Sequence, residues 1–207
     1  MIRAALLGIL ICGFVADPLP SERPAMLQAP EAGWGPSRIQ PHQVSRIYRD
    51  LLQTTEVLVL LQPVDPDGKP VRVNLVFQAF FPGRAERDWY SGLPQWPKAP
   101  PARLLVTAQA FPMTFIIPEL SLRLRIDGVP IDLTGPGRRY RNIPCLIASE
   151  DCAPNGVEAE LDPSILRSLI AARAVQGHAL GFPFELTKAD RAALAEFATR
   201  LNGAVGP

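Results

Sequence analysis

Histidine and cysteine are scarce in this chain, two and three among 207 residues, and their scarcity removes most common active-site chemistries. A hydrolase triad needs a general base, but His42 lies in a proline-rich stretch and His178 has no Gly-x-Ser-x-Gly nucleophile motif near it. Zinc would require more ligands than Cys145, Cys152 and two distant histidines supply, so neither a metal nor a cofactor is expected. Neither sign of charge prevails: 21 basic against 20 acidic side chains leave a net charge of +1. No global field gathers nucleic acid, which is therefore excluded as a first expectation.

Long apolar runs are missing too. The longest, Ala4 to Ala16, is about 13 residues and too short to cross a bilayer comfortably as a helix. It follows Arg3 and ends at Asp17-Pro18, the order of regions in a secretory signal peptide, for which cleavage after Ala16 is expected, leaving no stable membrane span afterwards; an uncleaved anchor and a buried N-terminal helix are its rivals. Ile11 is too bulky for the small-residue site that would precede a lipidated Cys12. Removal of the leader leaves Cys145 and Cys152 as an even pair in an oxidising compartment. A disulfide is the simplest reading, giving about 2 to 3 kcal/mol before strain; a metal site and a redox pair are its rivals, the latter normally spaced Cys-x-x-Cys.

What is plentiful is proline, 23 residues, with 47% hydrophobic and 20% charged residues. That balance supports a packed core with many short strands and loops. Residues 17–43 hold six prolines and few aliphatics and read as a disordered tether. Residues 44–203 are expected to form one β-rich domain. It opens with a short amphipathic helix over Val44 to Thr54, because Val44, Ile47, Leu51 and Tyr48 share a helical face.

Strands then dominate. Val57 to Gln62 and Val71 to Phe81 flank the turn Asp65-Pro66-Asp67-Gly68, the second with Val71, Val73, Leu75, Phe77 and Ala79 inward and Arg72, Asn74 and Gln78 on a half-solvated face. Leu104 to Ala110 and Phe115 to Ile117 continue the pattern. Ser121 to Leu133 reads as a hairpin about Asp127-Gly128, with Leu122, Leu124, Ile126, Val129, Ile131 and Leu133 buried and Arg123 and Arg125 outward. After a short strand at Val157 to Leu161, Asp162-Pro163 starts a helix with Gly177 beyond its end. A strand over Leu180 to Leu186, placed at an edge by Pro183, precedes a C-terminal helix capped by Thr187 and stopped by Gly203. The expected fold is mainly β (α+β): an antiparallel β-sandwich-like domain with two short helices in its C-terminal third.

Candidate binding residues follow from what the core does not absorb. Trp89, Tyr90 and Trp96 fall in the proline-rich loop 84–101, where exposed aromatics concentrate binding energy, though a lid over the core is the commoner use of such side chains. Arg138 and Arg139 lie in Gly135 to Arg141, a basic loop without the strand-to-helix context of a phosphate cradle. Glu150 and Asp151 lack calcium-loop spacing. Asp127, Asp132 and Glu158 are the carboxylates from which an unfamiliar enzyme site would be built.

From Leu104 to Leu201 the order of an aliphatic strand, Leu122-Arg-Leu-Arg-Ile-Asp-Gly128, Tyr140, Ile143-Pro144-Cys145, Cys152, a leucine-rich helix, Phe182-Pro-Phe-Glu-Leu186 and a terminal helix resembles the invasion-associated locus B family of exported alphaproteobacterial proteins. The resemblance implies a compact β-sandwich-like fold, export, and a structural role for Cys145 and Cys152. The functional expectation is a periplasmic or secreted, non-enzymatic protein that binds an envelope or host protein. The alternative is a small-ligand carrier with its pocket under the aromatic 84–101 loop.

Overall fold

The aliphatic runs of this chain are too short and too closely punctuated by Pro and Gly to form long helices, and they pair as strands. The computed structural model describes residues 40–49, 51–84, 95–110, 117, 119–143 and 155–201. The chain divides into two units, Met1–Gly35 and Pro36–Pro207, and every described residue belongs to the second. Among the described residues there are ten strands and two helices: β1 (Val44–Arg49), β2 (Thr54–Leu61), β3 (Val73–Pro82), β4 (Arg103–Ala110), β5 (Leu122–Ile126), β6 (Val129–Asp132), β7 (Tyr140–Ile143), β8 (Gly156–Glu160), α1 (Pro163–Ala171), β9 (Val175–Ala179), β10 (Phe182–Glu185) and α2 (Lys188–Leu201). All strand pairs are antiparallel.

Two open sheets result. The larger runs β1-β2-β3-β4-β8-β7 and the smaller β10-β9-β5-β6. One face of the larger sheet contributes Val57, Val59, Leu75, Phe77 and Val106 to a single core cluster, joined by Leu122, Leu124 and Phe184 of the smaller sheet. Leu166 and Leu169 of α1 and Leu194 and Phe197 of α2 complete it. Each fully buried Leu or Phe contributes about 2 kcal/mol. The fold is a mainly-β, sandwich-like α+β architecture, as the alternation of Val71 to Phe81 and Ser121 to Leu133 predicts.

Several local expectations hold for physical reasons visible in the geometry. Asp65 closes the turn after β2 by accepting from the backbone N–H groups of Asp67 and Lys69. The Asp127-Gly128 connection has φ values of 46° and 87°, the left-handed pair that a two-residue hairpin turn demands, and it sets the pairs Ile126–Val129 and Leu124–Ile131. Asp162 caps α1 by accepting from Ser164 N at 2.7 Å, with Pro163 in the first turn. β10 lies at a sheet edge, where Pro183 costs no ladder hydrogen bond.

Others need correction. The helix expected over Val44 to Thr54 is instead β1 and the hairpin turn into β2. β2 is buried along nearly its whole length and requires a neighbour along its edge, and Val44, Ile47 and Tyr48 suit that place better than an isolated helical turn does. The tether expected to run to residue 43 has ordered backbone at its end, with His42 N donating to Leu60 O. The second face of β3 is half-solvated only in part: Arg72 just before the strand is exposed and Asn74 half-buried, whereas Val76 and Gln78 are buried. Val129 shares a face with buried Ile126 yet is 61% exposed, because β6 is the edge strand and the core does not reach it. Gly177 lies inside β9, not at the stop of α1. Leu180-Gly181 is the turn of the β9–β10 hairpin, not part of a strand. The strand expected at Phe115 to Ile117 and the stop at Gly203 lie outside the described residues, apart from Ile117, which packs against the core.

Candidate functional site

A turn closed by Arg138 N donating to Gly135 O, with Gly137 at φ 78°, delivers the basic loop into β7. β7 is the outermost strand of the larger sheet and pairs with β8. Glu160 N donates to Arg139 O at 2.9 Å and Asn155 N to Ile143 O, so the backbone polar groups of residues 139, 141 and 143 turn toward β8. Antiparallel alternation then turns those of Tyr140 and Asn142 outward. No described strand pairs with that outer edge.

The side chains follow the same alternation. Tyr140 is 50% exposed beside Ala159 of β8. On the opposite face Arg141 grips Glu158 with two hydrogen bonds, 2.7 and 3.0 Å, and Arg139 lies 3.7 Å from Glu160. The bond to Glu158 raises the Arg141 pKa. Both arginines stay largely in solvent, 72% and 88% exposed, while the Glu158 side chain is nearly buried. Such forked pairs fix guanidinium direction more than they stabilise the fold. Arg138 and Arg139 are exposed, next to Tyr140 and the open edge of the sheet.

The same face of the larger sheet carries a polar row that sequence reasoning missed. Arg49 Nε donates to Glu56 Oε2 at 2.8 Å, Gln78 Nε2 to Glu56 Oε1 at 2.9 Å, and Thr107 Oγ1 to Gln78 Oε1 at 3.0 Å. Glu56 is 1% exposed. Around this row Leu58, Leu60, Val76 and Leu105 are buried yet lie outside the core cluster. A buried carboxylate is tolerable only when its oxygens are bonded, as these are, so the row holds four strands in register. The available signal was a lone glutamate heading an aliphatic strand.

The remaining sequence candidates separate. Trp96 packs against the core, with the guanidinium carbons of Arg46 and Arg200 at 4.9 and 4.8 Å from its ring centroid. Arg46 also donates to Gln95 O at 2.7 Å, and burial lowers its pKa. Trp96 thereby joins β1 to the last turn of α2, the arrangement of a lid. Trp89, Tyr90, Cys145, Cys152, Glu150 and Asp151 lie outside the described residues.

Asp127 accepts from the backbone N–H groups of Arg173 and Ala174, and Asp132 from Thr134 N and Oγ1, so with Glu158 on Arg141 each carboxylate has a local partner. His178 is exposed within β9. His42 sits 2.9 Å from Asp190, a wholly buried acid. Among the described residues no group of three or more His, Cys, Asp and Glu side chains is disposed to hold a metal ion, and no helix is long and apolar enough to cross a membrane. No protein-family model matches the chain, and neither a curated protein nor a solved structure does.

Proposed function

We propose that this is an exported, non-enzymatic protein that acts by binding another protein, of the cell envelope or of a host, through the arginine-bearing edge of its larger sheet. The observation that carries this reading is β7: outward-facing backbone groups at Tyr140 and Asn142 stand beside a half-exposed tyrosine and the exposed Arg138, Arg139 and Arg141. A partner segment in extended conformation can add a strand there, gaining main-chain hydrogen bonds, while the arginines and Tyr140 select its side chains. The leader-like N-terminus and the resemblance to the invasion-associated locus B family support export and a role in surface interaction. The carrier alternative has less support, because Trp96 faces two guanidinium groups and the core.

The test is a photo-crosslinking amino acid in place of Tyr140, introduced in the native cell, with the same probe at exposed Ser168 on α1 as the control. One discrete crosslinked protein from position 140 alone is the expected result. No product at 140, or the same products at 168, would remove the proposal.

A further inference from the structure

Leu51 and Leu52, 74% and 67% exposed, are adjacent at the tip of the β1–β2 hairpin. Folding does not require them there. Turn positions are served best by Gly, Asn or Asp, and the residue that takes the left-handed conformation in this turn is Gln53, at φ 50°. The tip is braced despite its apolar load. Tyr48 Oη donates to Gln53 Oε1 at 2.9 Å, Gly83 N to Gln53 O at 2.8 Å and Thr55 Oγ1 to Gly83 O at 2.9 Å. These bonds hold the hairpin against the end of β3, so the two leucines are presented from a rigid base.

Cations surround that base. Arg84, exposed just past the end of β3, places its guanidinium carbon 5.0 Å from the Tyr48 ring centroid. Arg103, exposed at the start of β4, pairs with Phe80 one strand away. Arg49 is held by Glu56, the buried acid of this end, and Asp50 is the acid next to the tip in sequence. A pair of apolar side chains projecting beyond an aromatic and two exposed arginines matches the layering of a bilayer interface: acyl chains, then glycerol, then phosphates.

We infer that the β1–β2 tip docks on an anionic membrane surface, with Leu51 and Leu52 entering the acyl boundary and Arg84 and Arg103 meeting lipid phosphates. The net charge of +1 gives no long-range attraction, so binding is local and modest. This inference is independent of the β7 reading, which uses another edge of the same sheet.

The experiment is cosedimentation of the protein isolated from its native host with vesicles of phosphatidylglycerol and phosphatidylcholine, and with phosphatidylcholine alone, at low and high salt. The doubly substituted Leu51→Ser/Leu52→Ser chain and Arg84→Gln are run beside it, so that whatever the N-terminus contributes is common to all three. The wild-type chain should bind the anionic vesicles, the double-serine chain about tenfold less, and Arg84→Gln a few-fold less at low salt only. An unchanged melting temperature in the double-serine chain assigns its loss to the tip. Equal binding by all three chains, or none by the wild type, overturns the inference. So does a protein crosslinked from position 52 in the absence of vesicle binding, which would make the tip a protein contact instead.

Discussion

His42 Nε2 lies 2.9 Å from Asp190 Oδ1, joining residues 148 positions apart: the segment that leads into β1 and the first turn of the last helix. The same carboxylate accepts from Gln62 N at 3.0 Å, Thr187 N at 2.9 Å and Thr187 Oγ1 at 2.6 Å, while Asp190 N donates to Thr187 Oγ1 at 3.1 Å. This is a capping box with an aspartate at its third position, extended to two further segments. Asp190→Ala should cost about 3 kcal/mol or more in urea unfolding, because several buried donors lose their acceptor at once. His42→Ala should cost about 1 kcal/mol, since the His42 side chain is 35% exposed and water can take its place. A double-mutant cycle should return a coupling of at least about 0.5 kcal/mol; additive losses would mean that the contact contributes nothing.

Asp162 caps α1 from the surface. Its hydrogen bonds from the Ser164 side chain and backbone hold its pKa below the ordinary 3.8. A depressed folded-state pKa stabilises above the unfolded value and is lost as pH falls through the folded one. The stability difference between wild type and Asp162→Ala should therefore be about 1 kcal/mol near neutral pH and should shrink below about pH 4. Solvent screening keeps the pH-dependent part small. A difference that is constant from pH 7 to pH 2 would show that the carboxylate charge is irrelevant to the cap.

Gly177 is required by close approach. A Cβ there would stand 2.4 Å from Arg123 O on β5 and 2.6 Å from Cζ of Phe184 on β10. Gly177→Ala should destabilise by about 2 to 3 kcal/mol, because a carbonyl in a paired strand cannot move aside cheaply. Gly128→Ala, where the added Cβ meets only open space but φ is 87°, should lose about 1 kcal/mol. Thermal unfolding of the two variants separates crowding from backbone strain; equal losses would contradict the assignment.

Export and the cysteine pair are testable without any partner. The intact mass of protein from its native host should lack residues 1–16, and two thiols should become alkylable only after reduction. A full-length mass with free thiols would place the chain in a reducing compartment and withdraw the envelope reading.

Where the sequence was legible, a short-range rule governed the outcome. The β5–β6 hairpin follows from Asp127-Gly128 and its alternating flanks, and the start of α1 from Asp162-Pro163, because a turn or a cap is decided within four residues. Val44 to Thr54 failed for the opposite reason. Its apolar spacing fits a helix locally, but the open edge of β2, whose place depends on its pairing with β3, claimed it for a strand and left Leu51 and Leu52 in solvent. The candidate site divides the same way: Arg138 and Arg139 were visible as an unabsorbed basic loop, whereas their position at the entry to an outermost strand depends on β8, which follows β7 only after residues 144–155.

The amino-acid sequence alone therefore determined the class of fold, the principal turns and helix starts, and the shortage of general bases and metal ligands, since each rests on composition or on contacts between near neighbours. Tertiary structure decided the rest. The edge positions of β1, β6 and β7, the burial of Glu56 and Gln78 behind the core sheet, and the meeting of His42 with Asp190 and of Trp96 with Arg46 and Arg200 all depend on tertiary pairings. No local pattern encodes those pairings, because their free energy exists only once both partners are in place.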